Sequence, residues 1–257
     1  MKNLTLSLLC AGLLSTVAMA EDMCNATYQA DNYTESEQCY LKQLKTERSF
    51  DNFLYAGASL VQQQRYQEAL PYLIEAEKKA QSLDAYAVIY NLLGVAYSNL
   101  GNSKQTYTYY MKNLEVNLKL GNTNNIATSY HNLGQYYDKE SQPEKALDYY
   151  EKALKYSEES EKGTIYSNIG VLYDGINNIK KAEEMYLKAI ENDEKFGKYS
   201  ELGIHKSNLG IFYFRQSRFD EAKITFNEAL IIAKKVGLKE TEALVLMGLS
   251  EIEKAQK

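Results

Sequence analysis

The chain has no tryptophan, 2 prolines and 2 histidines among 257 residues. So few prolines leave helices free to run almost anywhere. The two histidines, His131 and His205, lie far apart and show no metal-ligand spacing, so no metal site is expected. There is no Cys-x-x-Cys pair, no Gly-x-Ser-x-Gly elbow and no phosphate-cradling glycine loop. No catalytic residue and no cofactor is therefore assigned, and the chain is not read as an enzyme. A basic block is missing too. The formal net charge is −5, with both signs scattered, which argues against nucleic acid and anionic membrane surfaces as partners. Beyond residue 20 no apolar run approaches the ~18 residues of a membrane-spanning helix, so no membrane insertion is expected there.

What is abundant is tyrosine, with 23 copies. Residues 1–20 have the form of a secretory leader: Lys2, a mostly apolar stretch from Leu4 to Val17, and the small-x-small site Ala18-Met19-Ala20 before Glu21. The expectation is cleavage after Ala20 and a periplasmic or secreted protein. Cys10 would leave with the leader. Cys24 and Cys39 would remain, and in an oxidising compartment they read as one disulfide, two free thiols being the alternative.

The body repeats. Glycines recur at Gly57, Gly94, Gly134, Gly170, Gly210 and Gly248, with spacings of 37, 40, 36, 40 and 38. Twelve residues after the first five stand Ala69, Thr106, Ala146, Ala182 and Ala222. Four further on come Leu73, Tyr110, Tyr150, Tyr186 and Phe226, and three more give Ala76, Asn113, Ala153, Ala189 and Ala229. An aromatic three after the glycine recurs as Tyr97, Tyr137, Tyr173 and Tyr213. A glycine on one helix, with alanines flanking a bulky residue on the next, describes two helices in close approach. Thr106 and Asn113, standing in for alanine, predict looser packing in the second repeat.

These positions resemble the tetratricopeptide repeat, whose basic period is about 34 residues. The resemblance covers residues 50 to about 236. It implies an all-α fold, an α-solenoid of stacked helix–turn–helix units wound as a right-handed superhelix. Repeats are expected at 50–83, 87–120, 127–160, 163–196 and 203–236. A half-repeat cap holding both cysteines is expected at 21–49, and a capping helix at 241–257. Gly121, Gly197 and Gly237 each follow a repeat glycine by 27 residues and read as left-handed caps that end longer second helices. This looks like the long-repeat variant of the family.

In a stacked array the first helices line the inner wall. At about 100° per residue, the positions two before and one after each glycine share a stripe opposite the packed face. Asn132, Asn168 and Asn208 stand at the first of these, with Asn91 one step off, and Val95, Gln135, Val171 and Ile211 at the second. A row of amides beside a mostly apolar row suits an extended peptide, the amides meeting its backbone and the apolar groups its side chains. The plain alternative is polar helix surface with incidental asparagines. Chaperone-docking relatives clamp a peptide's terminal carboxylate with basic residues on successive first helices. Here the positions six before the glycine are Asp51, Val88, Thr128, Thr164 and Ile204, none of them basic. Lys139 and Arg215 reach the stripe only in non-adjacent repeats, so that clamp is not expected. Asp138 and Asp174, each four after its glycine, are read as solvated surface rather than a carboxylate pair.

The functional expectation is an exported adaptor that binds a protein or extended peptide. Two alternatives remain: a scaffold for envelope-protein or secretion-machine assembly that uses its outer surface, and a module that senses a small ligand.

Overall fold

The computed structural model describes residues 23–256, so the expected leader lies outside the described residues. Every regular element described is a helix. In order they are α1 (Met23–Gln29), α2 (Tyr33–Gln43), α3 (Phe50–Gln62), α4 (Tyr66–Lys79), α5 (Leu83–Asn99), α6 (Ser103–Leu120) and α7 (Thr123–Lys139). Then follow α8 (Pro143–Tyr156), a 3-10 turn (Glu159–Glu161), α9 (Lys162–Gly175), α10 (Ile179–Phe196), α11 (Tyr199–Arg215), α12 (Phe219–Val236) and α13 (Lys239–Ala255). The chain divides into two compact units, residues 1–136 and 137–257.

The repeat glycines sit where a side chain has no room. A Cβ on Gly94 would lie 2.4 Å from the Tyr110 ring, and one on Gly210 would lie 2.5 Å from the Phe226 ring. Phe226 also reaches the next hairpin, 2.7 Å from a Cβ on Gly248. One aromatic thus fills the space left by two glycines, one on each side. The flanking alanines Ala69, Ala76, Ala182, Ala189, Ala222 and Ala229 are fully covered.

The turn inside each hairpin is also repeated. Seven residues after the glycine the chain enters the left-handed region, at Gln64, Gly101, Ser141, Asn177 and Ser217. The next N–H then reaches back to the carbonyl three after the glycine, as in Arg65 to Leu60, Asn178 to Tyr173 and Arg218 to Tyr213, at 2.8–2.9 Å. This is the Schellman closure of a helix end. Only one of the five positions is glycine, so glycine is no guide to this turn in the sequence.

The cap at the other end follows the same rule. Asp31 has a φ of 58°, and the Asn32 N–H bonds the Thr27 carbonyl at 3.0 Å. Counting back seven from Asp31 places Cys24 where a repeat glycine would stand. Tyr40, 16 residues after it and 2% exposed, takes the aromatic's place. Met23–Gln29 and Tyr33–Gln43 therefore pair as a repeat-like hairpin with a short first helix. Cys24 and Cys39 are disulfide-bonded, with Cα atoms 5.3 Å apart. On the chain-entropy account a loop this short contributes about 3 kcal/mol.

Gly121, Gly197 and Gly237 cap their helices with φ of 71°, 68° and 78°. The helices they end, α6, α10 and α12, run 18 residues each, against 14 for α4 and α8. The looser packing expected of the second repeat is not found: Thr106 and Asn113 are each 2% exposed. Thr106 returns its hydroxyl to the Asn102 carbonyl at 2.9 Å, and Asn113 donates to the Ala87 carbonyl at 2.7 Å. Small polar groups replace methyls there because local carbonyls satisfy them.

Candidate binding surface of the first helices

In the first unit Asn91 on α5 and Asn132 on α7 meet side by side. The Asn132 amide donates to Asn91 Oδ1 at 2.9 Å, and the residues are 3% and 8% exposed. In the second unit the Asn208 amide on α11 donates to Ser167 Oγ on α9 at 3.2 Å. Both contacts have one form. The asparagine two before its glycine reaches the residue three before the preceding glycine, 41 positions upstream. Each unit thus holds one such rung between neighbouring first helices.

That corrects part of the sequence reading. Asn91 and Asn132 do not simply point away from the packed face. They are covered because neighbouring first helices approach closely enough for one amide to serve another. Asn168 and Asn208 are half-buried, as are Val95, Gln135 and Ile211, whereas Val171 is 42% exposed. On α13 the equivalent position carries Leu246, 47% exposed, with no donor to offer. Ser207, which would face that donor, is 1% exposed, and its hydroxyl has no hydrogen-bond partner among the described residues.

The second unit brings together three of these helices, with α9 against α11 and α11 against α13. Beside the asparagine row run Val171, Ile211 and Leu249. At one end Arg215 bonds Asp174 at 3.0 Å, and the aspartate side chain is only 8% exposed. Asp174 is therefore not solvated surface. It holds the one arginine that sequence reasoning placed on this stripe, and so neutralises it. Asp138 is half-covered, and burial raises its carboxyl above the usual range.

The remaining titratable groups of interest face inward. His205 Nδ1 lies 2.6 Å from Asp193 Oδ2, and the residues are 4% and 1% exposed. The ring nitrogen is the donor, since a carboxylate only accepts. An imidazole–carboxylate pair is a familiar catalytic element, but this one is sealed between α10 and α11 and no substrate could touch it. His131 is buried as well, and loss of hydration lowers it to about 4. The His205 pairing was not visible in the sequence, because it depends on a residue from another helix. Among the described residues no group of three or more metal-ligating side chains gathers, and no helix is long and apolar enough to cross a membrane.

Comparison with known proteins agrees with this architecture. Residues 85–159 and 163–196 match tetratricopeptide repeat models. No curated protein matches the chain in sequence. Among solved structures it resembles BtubC from P. vanneervenii, at 20% identity over 82% of this chain and 91% of that one, with a TM-score of 0.63. It also resembles the apo form of RapI, at 21% identity over 80% and 81%, with a TM-score of 0.67. A third likeness is to a signal-transduction ATPase with a tetratricopeptide repeat sensor from Pyrococcus horikoshii, at 20% identity and a TM-score of 0.69. That match takes in 98% of this chain but only 38% of the ATPase. At such identities the likeness is one of fold. Proteins built from these repeats are in general binding modules rather than enzymes. The chain carries tetratricopeptide repeats over residues 85–159 and 163–196.

Proposed function

We propose that this chain is an exported adaptor that holds an extended peptide, or an extended segment of a protein, along its first helices. The observation that carries the reading lies in the second unit. Val171, at 42% exposed, and Leu246, at 47%, stand open to solvent beside the half-buried Asn168, Asn208, Ile211 and Leu249. Apolar side chains with amides between them recognise a peptide through its side chains and its backbone together. Arg215 is already paired with Asp174, which favours a segment without a dense acidic run. Tetratricopeptide repeat relatives bind proteins or peptides, which supports the same reading.

Export is part of the proposal. The leader-like residues 1–20 motivate it, and a disulfide between Cys24 and Cys39 suits an oxidising compartment. Mature protein beginning at Glu21 in the periplasmic or secreted fraction, with no thiol reactive before reduction, is the expected result. An intact Met1 on cytoplasmic protein would rule export out.

The binding test uses a partner recovered by crosslinking in the native compartment. Val171→Asp places a charge on the open row without touching the asparagines. It should weaken binding at least about tenfold while the melting curve holds, since exposed substitutions usually stay within about 0.5 kcal/mol. Glu191→Ala, an exposed change on α10, serves as the control. Unchanged affinity for folded Val171→Asp would move the reading to the outer surface. One observation favours that second reading: Ile224 and Ile231 are 61% and 68% exposed on α12. The equivalent positions on α8 and α10 hold Asp148 and Lys155, and Glu184 and Glu191.

A further inference from the structure

The residue just before each repeat glycine is covered wherever a second helix packs on it. Ala56, Leu93 and Leu133 are fully buried, and Ile169 and Leu209 are 3% and 4% exposed. Met247 holds the same place on α13 and is 66% exposed, with Leu244 beside it at 44%. Val245 and Ile252 on the same helix are buried, so α13 is docked by one face and bare on the other. The bare stripe follows 3- and 4-residue steps: Glu240, Leu244, Met247, Glu251 and Lys254. At about 100° per residue these five fall within a band roughly 80° wide.

We infer that this stripe is a docking face for a second copy of the chain, two α13 helices pairing antiparallel about Met247. The charges select the occupant and its direction. Residues 240 and 254 lie equally far, seven positions, on either side of Met247. An antiparallel pair therefore sets Glu240 against Lys254 of the other copy, and by symmetry does so twice. A parallel pair would set Glu240, Glu251 and Lys254 each against itself, which costs rather than contributes. Met247 meets its own image at the centre, with one Leu244 on either side of it. In every hairpin the natural cover of a first helix is an antiparallel helix, and a second α13 supplies that geometry. Lys254 is held by Glu251 at 2.6 Å within its own exposed turn, a contact loose enough to be shared.

Sedimentation equilibrium of the purified protein, from about 1 to 200 μM, tests this in the range where a small interface reveals itself. A reversible monomer–dimer equilibrium is expected for the wild type. Met247→Lys should leave monomer throughout, with its melting curve unchanged because that side chain is already exposed. Glu240→Lys and Lys254→Glu should each weaken the dimer at least about fivefold. The double variant carrying both should regain wild-type association, because the pairs re-form with their signs exchanged. Monomer throughout for the wild type, or a dimer indifferent to Met247→Lys, would overturn the proposal. A double variant as weak as its parents would overturn the antiparallel register.

Discussion

Two long second helices, α6 in the first unit and α10 in the second, face the same problem with different chemistry. Each carries an extra turn, ends in a left-handed glycine and is followed by a repeat spacing of 40 residues. On each, the residue 23 after the repeat glycine meets the residue five before the next one. In the first unit these are Asn117 and Ser129, with the amide donating to the hydroxyl at 2.8 Å. In the second they are Asp193 and His205. The neutral junction is a network. Ser129 also donates to Asn113 Oδ1 at 2.6 Å, and Asn113 to the Ala87 carbonyl. The charged junction rests on one short contact, braced by Asn192, which accepts from the Gly163 N–H at 3.1 Å and donates to the Glu159 carbonyl at 2.6 Å. Neutral groups spread the cost of burial over several bonds, whereas a buried carboxylate concentrates it in one partner.

The sharpest way to break this comparison is to remove that partner. His205→Leu leaves the Asp193 carboxylate buried and unanswered, which should cost about 3–5 kcal/mol. Ser129→Ala in the other junction should cost about 1–3 kcal/mol, because Asn113 and Asn117 retain other contacts. Replacing both Asp193 and His205 by leucine should recover much of the first loss, since the charge goes with its partner. Urea denaturation of the three variants checks the order. Equal losses for His205→Leu and Ser129→Ala would mean that the charged junction is no more concentrated than the neutral one.

Acid should separate the units by another route. Burial lowers His131 to about 4, below the ordinary imidazole value of about 6.5. The unfolded chain therefore binds the proton first. Stability is complete above about pH 6.5 and drains as pH falls towards about 4, by roughly 3 kcal/mol in all. Melting temperature measured across that window should fall in the wild type and fall less in His131→Gln, after any constant offset from the substitution. Parallel pH profiles would show that His131 is not the group responsible.

A smaller effect tests the bracing of Asp193. A Cβ on Gly163 would lie 2.4 Å from Asp193 Oδ1, so Gly163→Ala must push the carboxylate off its place. A cost of about 1–3 kcal/mol is expected. Gly203→Ala meets methyl groups of Ile232 at 3.2 Å and Leu238 at 3.4 Å, with no contact under 3.0 Å, and should cost less. If the two variants melt together, the space around Asp193 is not as tight as drawn.

The repeat itself was legible because sterics wrote it. Glycine, alanine and a bulky residue recur where two helices touch, because space there is short. The long second helices were legible from Gly121, Gly197 and Gly237 for a related reason, the left-handed cap. What stayed hidden depends on pairs. The asparagine row could be seen, but its bonding partners lie 41 positions upstream and one step off the row, where residue type varies from Asn91 to Ser167. Cys24 concealed an extra hairpin by replacing the glycine that marks the others. Asp174 looked like surface until Arg215, from the next first helix, was seen to cover it. Met247 carried the ordinary packing signature, and only the structure shows that face bare.

The last expected effect is the smallest, and it compares the turns of the two units. Gly101 in the first unit and Ser217 in the second occupy the same left-handed position, with φ of 72° and 57°. Serine there carries a Cβ that crowds the following carbonyl, a cost of about 1–2 kcal/mol which glycine avoids. Glycine in turn loses more freedom on folding, which offsets part of that advantage. Nothing lies within 4 Å of a Cβ on Gly101, and Ser217 is exposed, so packing plays no part at either site. Ser217→Gly should therefore stabilise by roughly 0.5–1 kcal/mol, and Gly101→Ser should destabilise by a similar amount. Both changes should leave the Schellman bonds from Arg218 and Asn102 intact, because those use only the main chain. Thermal melts of the two variants and of the double exchange give the answer. Shifts of opposite sign that cancel in the double would show the two units sharing one turn at one cost. Shifts of the same sign would show that the turn of the second unit has found some compensation for its serine.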